Sequence, residues 1–135
     1  MLNGQLLKLL VAGVVVITPA ISCVAHDDMS AQRGRAIVAN RQVGLCLLCH
    51  SAPITEERFQ GNLAPNLAML VQGKTAQQLK NIIEHPSINN PGTIMPSYGT
   101  TDHLQRLPQH LKGKMLLSNE QIDDVVAYLM SLQKP

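Results

Sequence analysis

Cys46-Leu47-Leu48-Cys49-His50 is the segment whose residue types and spacing could do the most chemistry. Two thiols three positions apart can each add across a vinyl group of one porphyrin, and a histidine that follows at once is placed to ligate its iron. That is the C-x-x-C-H pattern of covalent haem attachment, with Cys46 and Cys49 as the attachment points and His50 as the proximal axial ligand. Two other chemistries share the spacing. Half a zinc site would need a second ligand pair, yet the only other cysteine is Cys23. A thioredoxin-like disulfide would follow a strand, and no strand pattern precedes Cys46.

Iron held by His50 takes a second axial ligand, which decides between electron transfer and ligand binding. The candidates are Met69, Met95, Met115, Met130, His85, His103 and His110. Met69 and Met115 have apolar neighbours and read as core, and Met130 belongs to a helical pattern. Met95 stands in a proline-rich loop before Pro96, far enough along to reach the other haem face. A loop methionine is also a common gap filler, and His85 is its main rival. A thioether favours ferrous iron, so Met/His ligation raises the reduction potential above that of His/His.

The elements around these residues read as helices. Ala31, Gly34, Ile37 and Val38 recur at helical spacing and predict a first helix over Ser30 to Asn40. A glycine inside it costs about 1 kcal/mol against alanine, so Gly34 points to a close approach by another element. A short helix over the cysteine pair is expected, then a loop broken by Pro53, Gly61 and Pro65. Thr75 and Gln78 form a capping box for a second helix with Leu79, Ile82 and Ile83 inward, ending near His85 before Pro86. Residues 87–101 read as loop, with a shorter helical piece over Asp102 to Leu107. Ser118 and Gln121 open the last helix, in which Ile122, Val125, Val126, Leu129 and Leu132 share a face. Strand signals are weak throughout.

The N-terminus has the layout of a secretory signal peptide. Lys8 precedes an apolar run of nine residues, Leu9 to Ile17, and Cys23-Val24-Ala25 precedes His26. The expected division is a signal peptide over 1–25 and one domain over 26–135, exported and soluble. Alternatively, Ala20-Ile21-Ser22-Cys23 loosely resembles a lipoprotein signal, with a lipid anchor at Cys23. The net charge of +2 falls to +1 once Lys8 is removed, and no basic block suggests nucleic acid. Three aromatic rings, Phe59, Tyr98 and Tyr128, leave the core short of large apolar bodies, which a buried haem would supply.

With these residues in view, the chain resembles the class I cytochromes c, an all-α fold with crossing terminal helices around one covalent haem c. More particularly it is similar to the small monohaem subunit, the X subunit, of the Sox thiosulfate-oxidising complex. The stretches that carry the likeness are Gly44 to His50, Pro91-Gly92-Thr93-Ile94-Met95-Pro96-Ser97-Tyr98-Gly99, Leu104 to Pro108, Gly113 to Ser118, and Glu120 to Leu129. The resemblance implies that Met95 is the distal iron ligand and that Gly34 gives the helix contact near Tyr128. The family's Gly-Pro-x-Leu stands here as Ala64-Pro65-Asn66-Leu67, so the Pro65 carbonyl is not expected to carry over securely as partner of the His50 ring. The resemblance further implies an electron-accepting role beside a larger cytochrome, the A subunit, which holds the active site. There thiosulfate is joined to a cysteine of a sulfur carrier protein, and the electrons pass through this haem to downstream cytochromes c. No catalytic residue is assigned to the chain itself. The alternatives are a free-standing periplasmic electron shuttle of the same fold and a haem-based sensor with an open sixth position.

Overall fold

The computed structural model describes residues 23–101, 109 and 112–133. Every regular element among them is helical: α1 (Cys23–Ala39), a 3-10 turn (Cys46–Leu48), α2 (Leu67–Leu70), α3 (Ala76–Glu84), α4 (Pro86–Asn89) and α5 (Asn119–Ser131). The piece expected over Asp102 to Leu107, and with it His103 and His110, lies outside the described residues.

The molecule is organised by one crossing. α1 packs against α5 more extensively than any other pair of elements. Gly34 makes this approach possible, because a Cβ there would lie 1.8 Å from the Asp124 carbonyl oxygen and 2.9 Å from the Val125 nitrogen. Arg33 beside it forms a two-pronged ion pair with Asp124, with Nε to Oδ2 at 2.8 Å and an NH2 contact to Oδ1 at 2.7 Å. Such paired geometry fixes orientation as well as attraction. α1 starts at Cys23, ahead of the expected Ser30, and the additional residues Asp27 to Met29 are exposed.

α1 stops where Asn40 competes for the backbone. Its side-chain oxygen accepts from the Gln42 and Val43 amides, at 2.8 and 3.2 Å, and its carbonyl accepts from Val43, Gly44 and Leu45. Such local bonds draw the chain into a turn. Both expected capping boxes form, at Thr75/Gln78 for α3 and Ser118/Gln121 for α5. From α5, Ile122, Val125, Val126, Tyr128 and Leu129 enter the core, where they meet Val38, Leu47, Ile54, Val71, Leu79 and Leu117. Full burial of one such side chain is worth about 1.5–3 kcal/mol. The end of α5 is sewn to the turn after α2 by Gln133, whose Nε2 donates to the Val71 and Lys74 carbonyls at 2.9 and 2.6 Å.

Three expectations need correction. Residues 87–101 are not loop throughout, because Pro86 opens α4. Proline suits a helix's first position, where its missing N–H would be unpaired anyway. The stretch after the cysteines contains α2, capped by Asn66. Met69 and Met115 are not core: they are 77% and 45% exposed. Met69 sits on a one-turn helix whose buried residue is Leu67. Met130 does pack against the core, as expected.

Candidate haem site

The cysteine segment is presented by a strained turn. Leu45 has φ 59° and ψ −1°, in the left-handed region that costs an ordinary residue about 1–2 kcal/mol. It is the one non-glycine residue with positive φ among those described. The turn passes close over α1, since a Cβ on Gly44 would lie 2.2 Å from the Ile37 carbonyl. Cys46–Leu48 then makes one 3-10 turn, continued by the His50 amide donating to the Cys46 carbonyl at 2.9 Å. Leu47 is fully buried and pins the turn to the core. Cys46 and Cys49 are half-buried and not joined in a disulfide. Burial pushes the Cys46 thiol up to about 11, so within the closed fold it remains protonated, and its Sγ donates to the Gly44 carbonyl at 3.2 Å.

His50 is oriented from behind. Its Nδ1 lies 2.7 Å from the Pro65 carbonyl oxygen. A carbonyl only accepts, so Nδ1 carries the proton and Nε2 keeps the lone pair that can bind iron. The doubt raised by Ala64 is thereby removed. Ala64 does not adopt a positive φ, so glycine's freedom is not needed there, and its amide donates to the Cys49 carbonyl at 3.0 Å.

The segment 60–67 straps the motif in place. Gly61 N donates to Leu47 O at 2.9 Å and Leu67 N to Ser51 O at 2.8 Å. A Cβ on Gly61 would lie 2.4 Å from the Leu48 carbonyl oxygen. Gln60 closes the intervening loop: its Oε1 accepts from Ala52 N at 2.6 Å, and its Nε2 donates to the Ile54 and Glu57 carbonyls at 2.9 and 3.0 Å. Sequence reasoning missed Ser51, Gln60 and Asn66 as positioning groups and read Gly61 only as a break in the loop. Of these only Asn66 carried a visible signal, as a capping residue ahead of Leu67-Ala68-Met69-Leu70.

Met95 is half-buried and packs against the same core cluster as Cys46. Its loop is pegged by Tyr98, which is 3% exposed. The Tyr98 amide donates to Ile83 O at 3.1 Å, its carbonyl accepts from Leu117 N at 3.5 Å, and its hydroxyl donates to the Gly44 carbonyl at 2.6 Å. One tyrosine thus ties the Met95 loop to the turn that presents Cys46. Burial holds that hydroxyl protonated well above the usual range for a phenol. Within the same loop, Thr93 Oγ1 accepts from Met95 N at 3.1 Å. His85, the rival, is the C-terminal cap of α3 and is half-buried.

Two unbridged thiols, an imidazole with a fixed tautomer and a thioether that packs on the same core cluster as Cys46 are a donor set whose chemistry fits haem: vinyl carbons for the thiols, and iron for nitrogen and sulfur. Among the described residues no group of three or more His, Cys, Asp or Glu could hold a metal ion by itself. Phe59, Leu63 and Ile94, on the loops carrying Pro65 and Met95, are 74–84% exposed. Apolar groups that bare would suit contact with a flat apolar cofactor. Among the described residues no helix is long and apolar enough to cross a membrane.

No curated protein matches the sequence. Solved structures do. The crystal structure of SoxXA from P. pantotrophus contains a chain 28% identical to this one, with a TM-score of 0.66, covering 77% of this chain and 82% of that one. The c-type cytochrome SorU from Sinorhizobium meliloti matches at 21% identity and a TM-score of 0.49, over 80% and 99% of the two chains. The sequence model of the family described as cytochrome c matches residues 31–133, from within α1 to just past α5. A helical fold closed by its two end helices around a C-x-x-C-H turn is thus matched across residues 31–133: the chain belongs to the cytochrome c family, an electron-transfer protein whose cofactor is covalently attached haem c.

Proposed function

We propose that this chain is the haem-bearing, electron-accepting subunit of an exported thiosulfate-oxidising complex of the Sox type. The observation that carries the reading is the 28% identity and 0.66 TM-score to a chain of SoxXA across most of both sequences. Thr93-Ile94-Met95-Pro96 followed by the Asp123 to Leu129 stretch of α5, the combination that most resembles the X subunit, supports it.

In this reading Cys46 and Cys49 would hold the porphyrin through two thioethers, and His50 and Met95 would ligate its iron. When bound, the haem supplies a one-electron couple. The chain's own work is positional. The Pro65 carbonyl keeps the His50 lone pair on Nε2, and the Tyr98 peg holds the Met95 loop. A thioether opposite an imidazole favours the reduced state, which suits an acceptor. The chain needs no nucleophile of its own. The thiosulfate chemistry belongs to a larger cytochrome partner, electrons leave to other cytochromes c, and a carrier protein is met only indirectly. Residues 1–25 act as the export signal, with delivery to the periplasm, and Cys23 as lipid anchor is the alternative end of the mature chain.

The test is haem reduction. Thiosulfate added with the partner cytochrome and the carrier protein should reduce the haem of this chain, and omission of any one of them should not. If the complete mixture leaves the haem oxidised, the Sox reading fails. Purification as a single haem-stained band, without a second cytochrome, would favour a free-standing shuttle.

A further inference from the structure

The bond from His50 Nδ1 to the Pro65 carbonyl has a second layer of control. The residue after His50 is Ser51, and the residue after Pro65 is Asn66. Ser51 is held to this stretch twice, once by Asn66 itself and once by the residue after it. The Leu67 amide donates to the Ser51 carbonyl at 2.8 Å, and Asn66 Nδ2 donates to Ser51 Oγ at 2.9 Å. The other end of the same side chain is also occupied, because Asn66 Oδ1 accepts from Ala68 N at 2.9 Å and so caps α2. One half-buried amide therefore brackets both partners of the histidine bond and fastens them to the start of a helix.

We infer that Asn66, acting with Ser51, is a positioning residue that sets the strength of the His50–Pro65 hydrogen bond and through it the reduction potential of the haem. The inference rests on the reading of His50 as an iron ligand. A strong bond from Nδ1–H to a carbonyl makes the imidazole more basic and a better donor to ferric iron. If the bracket loosens, Pro65 drifts from the ring, the donor weakens, and the ferrous state gains. Helix capping is a separate duty, and the two can be taken apart. Asn66→Ser keeps a side-chain oxygen that can cap α2 but is too short to reach Ser51. Ser51→Ala removes the bracket from the other side and leaves the cap intact.

The experiment uses the haem-loaded full protein with wild type, Ser51→Ala and Asn66→Ser. Two quantities are read: the midpoint potential by spectroelectrochemical titration, and exchange of the His50 ring N–H with deuterium by NMR. Both variants should raise the potential, shifting the redox equilibrium toward the reduced form by about three- to tenfold; tenfold is 59 mV for one electron. Both should also speed ring N–H exchange by at least about threefold. Unchanged potential and exchange in Ser51→Ala would overturn the inference, even if its melting temperature fell, since that is the result of a purely structural contact. If Asn66→Ser yields no haem-loaded protein, Ser51→Ala decides alone. A wild-type spectrum without histidine ligation would sink the ligand assignment and this inference with it, whereas intact ligation with unmoved variants sinks the inference only.

Discussion

Tyr98→Phe isolates one hydrogen bond on which the distal side of the site depends. The ring is buried and would stay in place, so no cavity opens and the change is confined to the hydroxyl. That hydroxyl donates to the Gly44 carbonyl at 2.6 Å. The same carbonyl accepts from Cys46 Sγ at 3.2 Å, but a thioether sulfur has no proton to give. Once Cys46 is attached to haem, Tyr98 is therefore the remaining side-chain donor to a buried carbonyl. Loss of a buried bond that leaves its partner unsatisfied costs about 1–3 kcal/mol. Taking about 2 kcal/mol, and roughly 4 °C per kcal/mol for a domain of this size, the melting temperature should fall by about 8 °C. The loss should not be uniform. The Met95 loop loses its tie to the cysteine turn while α1 and α5 keep theirs, so the visible iron–sulfur ligand band should disappear at lower temperature than the helical circular dichroism. A variant that melts within about 1 °C of wild type, with both signals lost together, would refute the argument that Tyr98 is the peg.

Three further outcomes are expected. Met95→Ala should keep the haem attached but lower the potential and let the reduced protein bind carbon monoxide rapidly; an unchanged ligand-field spectrum would rule Met95 out as a ligand. Gly34→Ala gains about 1 kcal/mol of helix propensity but places a methyl 1.8 Å from Asp124 O. The crossing must open, at about 3 kcal/mol or more, and the urea midpoint should fall, whereas a rise would show that the contact is soft. The third concerns alkaline pH. Burial raises the Tyr98 phenol above its ordinary 10.0, so the stability tied to its protonated form is complete below that value and declines as pH climbs above it, where the unfolded chain ionises first. Tyr98→Phe has no such group, so its deficit against wild type should narrow above pH 10, as read from urea midpoints; a constant deficit would argue against burial of the hydroxyl.

The parts of this fold visible in the sequence are those whose determinants are local and repeated. α3 and α5 each announce a capping box and an apolar face, and both form as expected. Gly34 was visible because a glycine inside a helix needs a reason. Short elements were not. α2 and α4 are one turn each, too brief for a period to register, and Pro86 ends α3 and starts α4 with the same ring. Met69 was misjudged for the same cause: its neighbours are apolar, but one helical turn buries only one of them. At the site, the ligand types and spacing were readable, but their positioning was not. Gln60 acts through a backbone amide eight residues away and Asn66 through a side chain 15 residues away, and no pattern of residue types encodes such a partner.

The crossing of α1 and α5 also dictates an order of events. Arg33 and Asp124 are 91 positions apart, and α5 supplies Ile122, Val125, Val126, Tyr128 and Leu129 to the core cluster that also holds Leu47. A chain emerging from its N-terminus displays α1 and the cysteine turn long before the helix that seals them. Such a late, long-range closure is intrinsically slow. During that interval Cys46 is an ordinary accessible thiol, whereas afterwards it is a half-buried one whose thiol is pushed up to about 11. Haem attachment should therefore be faster on the open chain than on the closed fold.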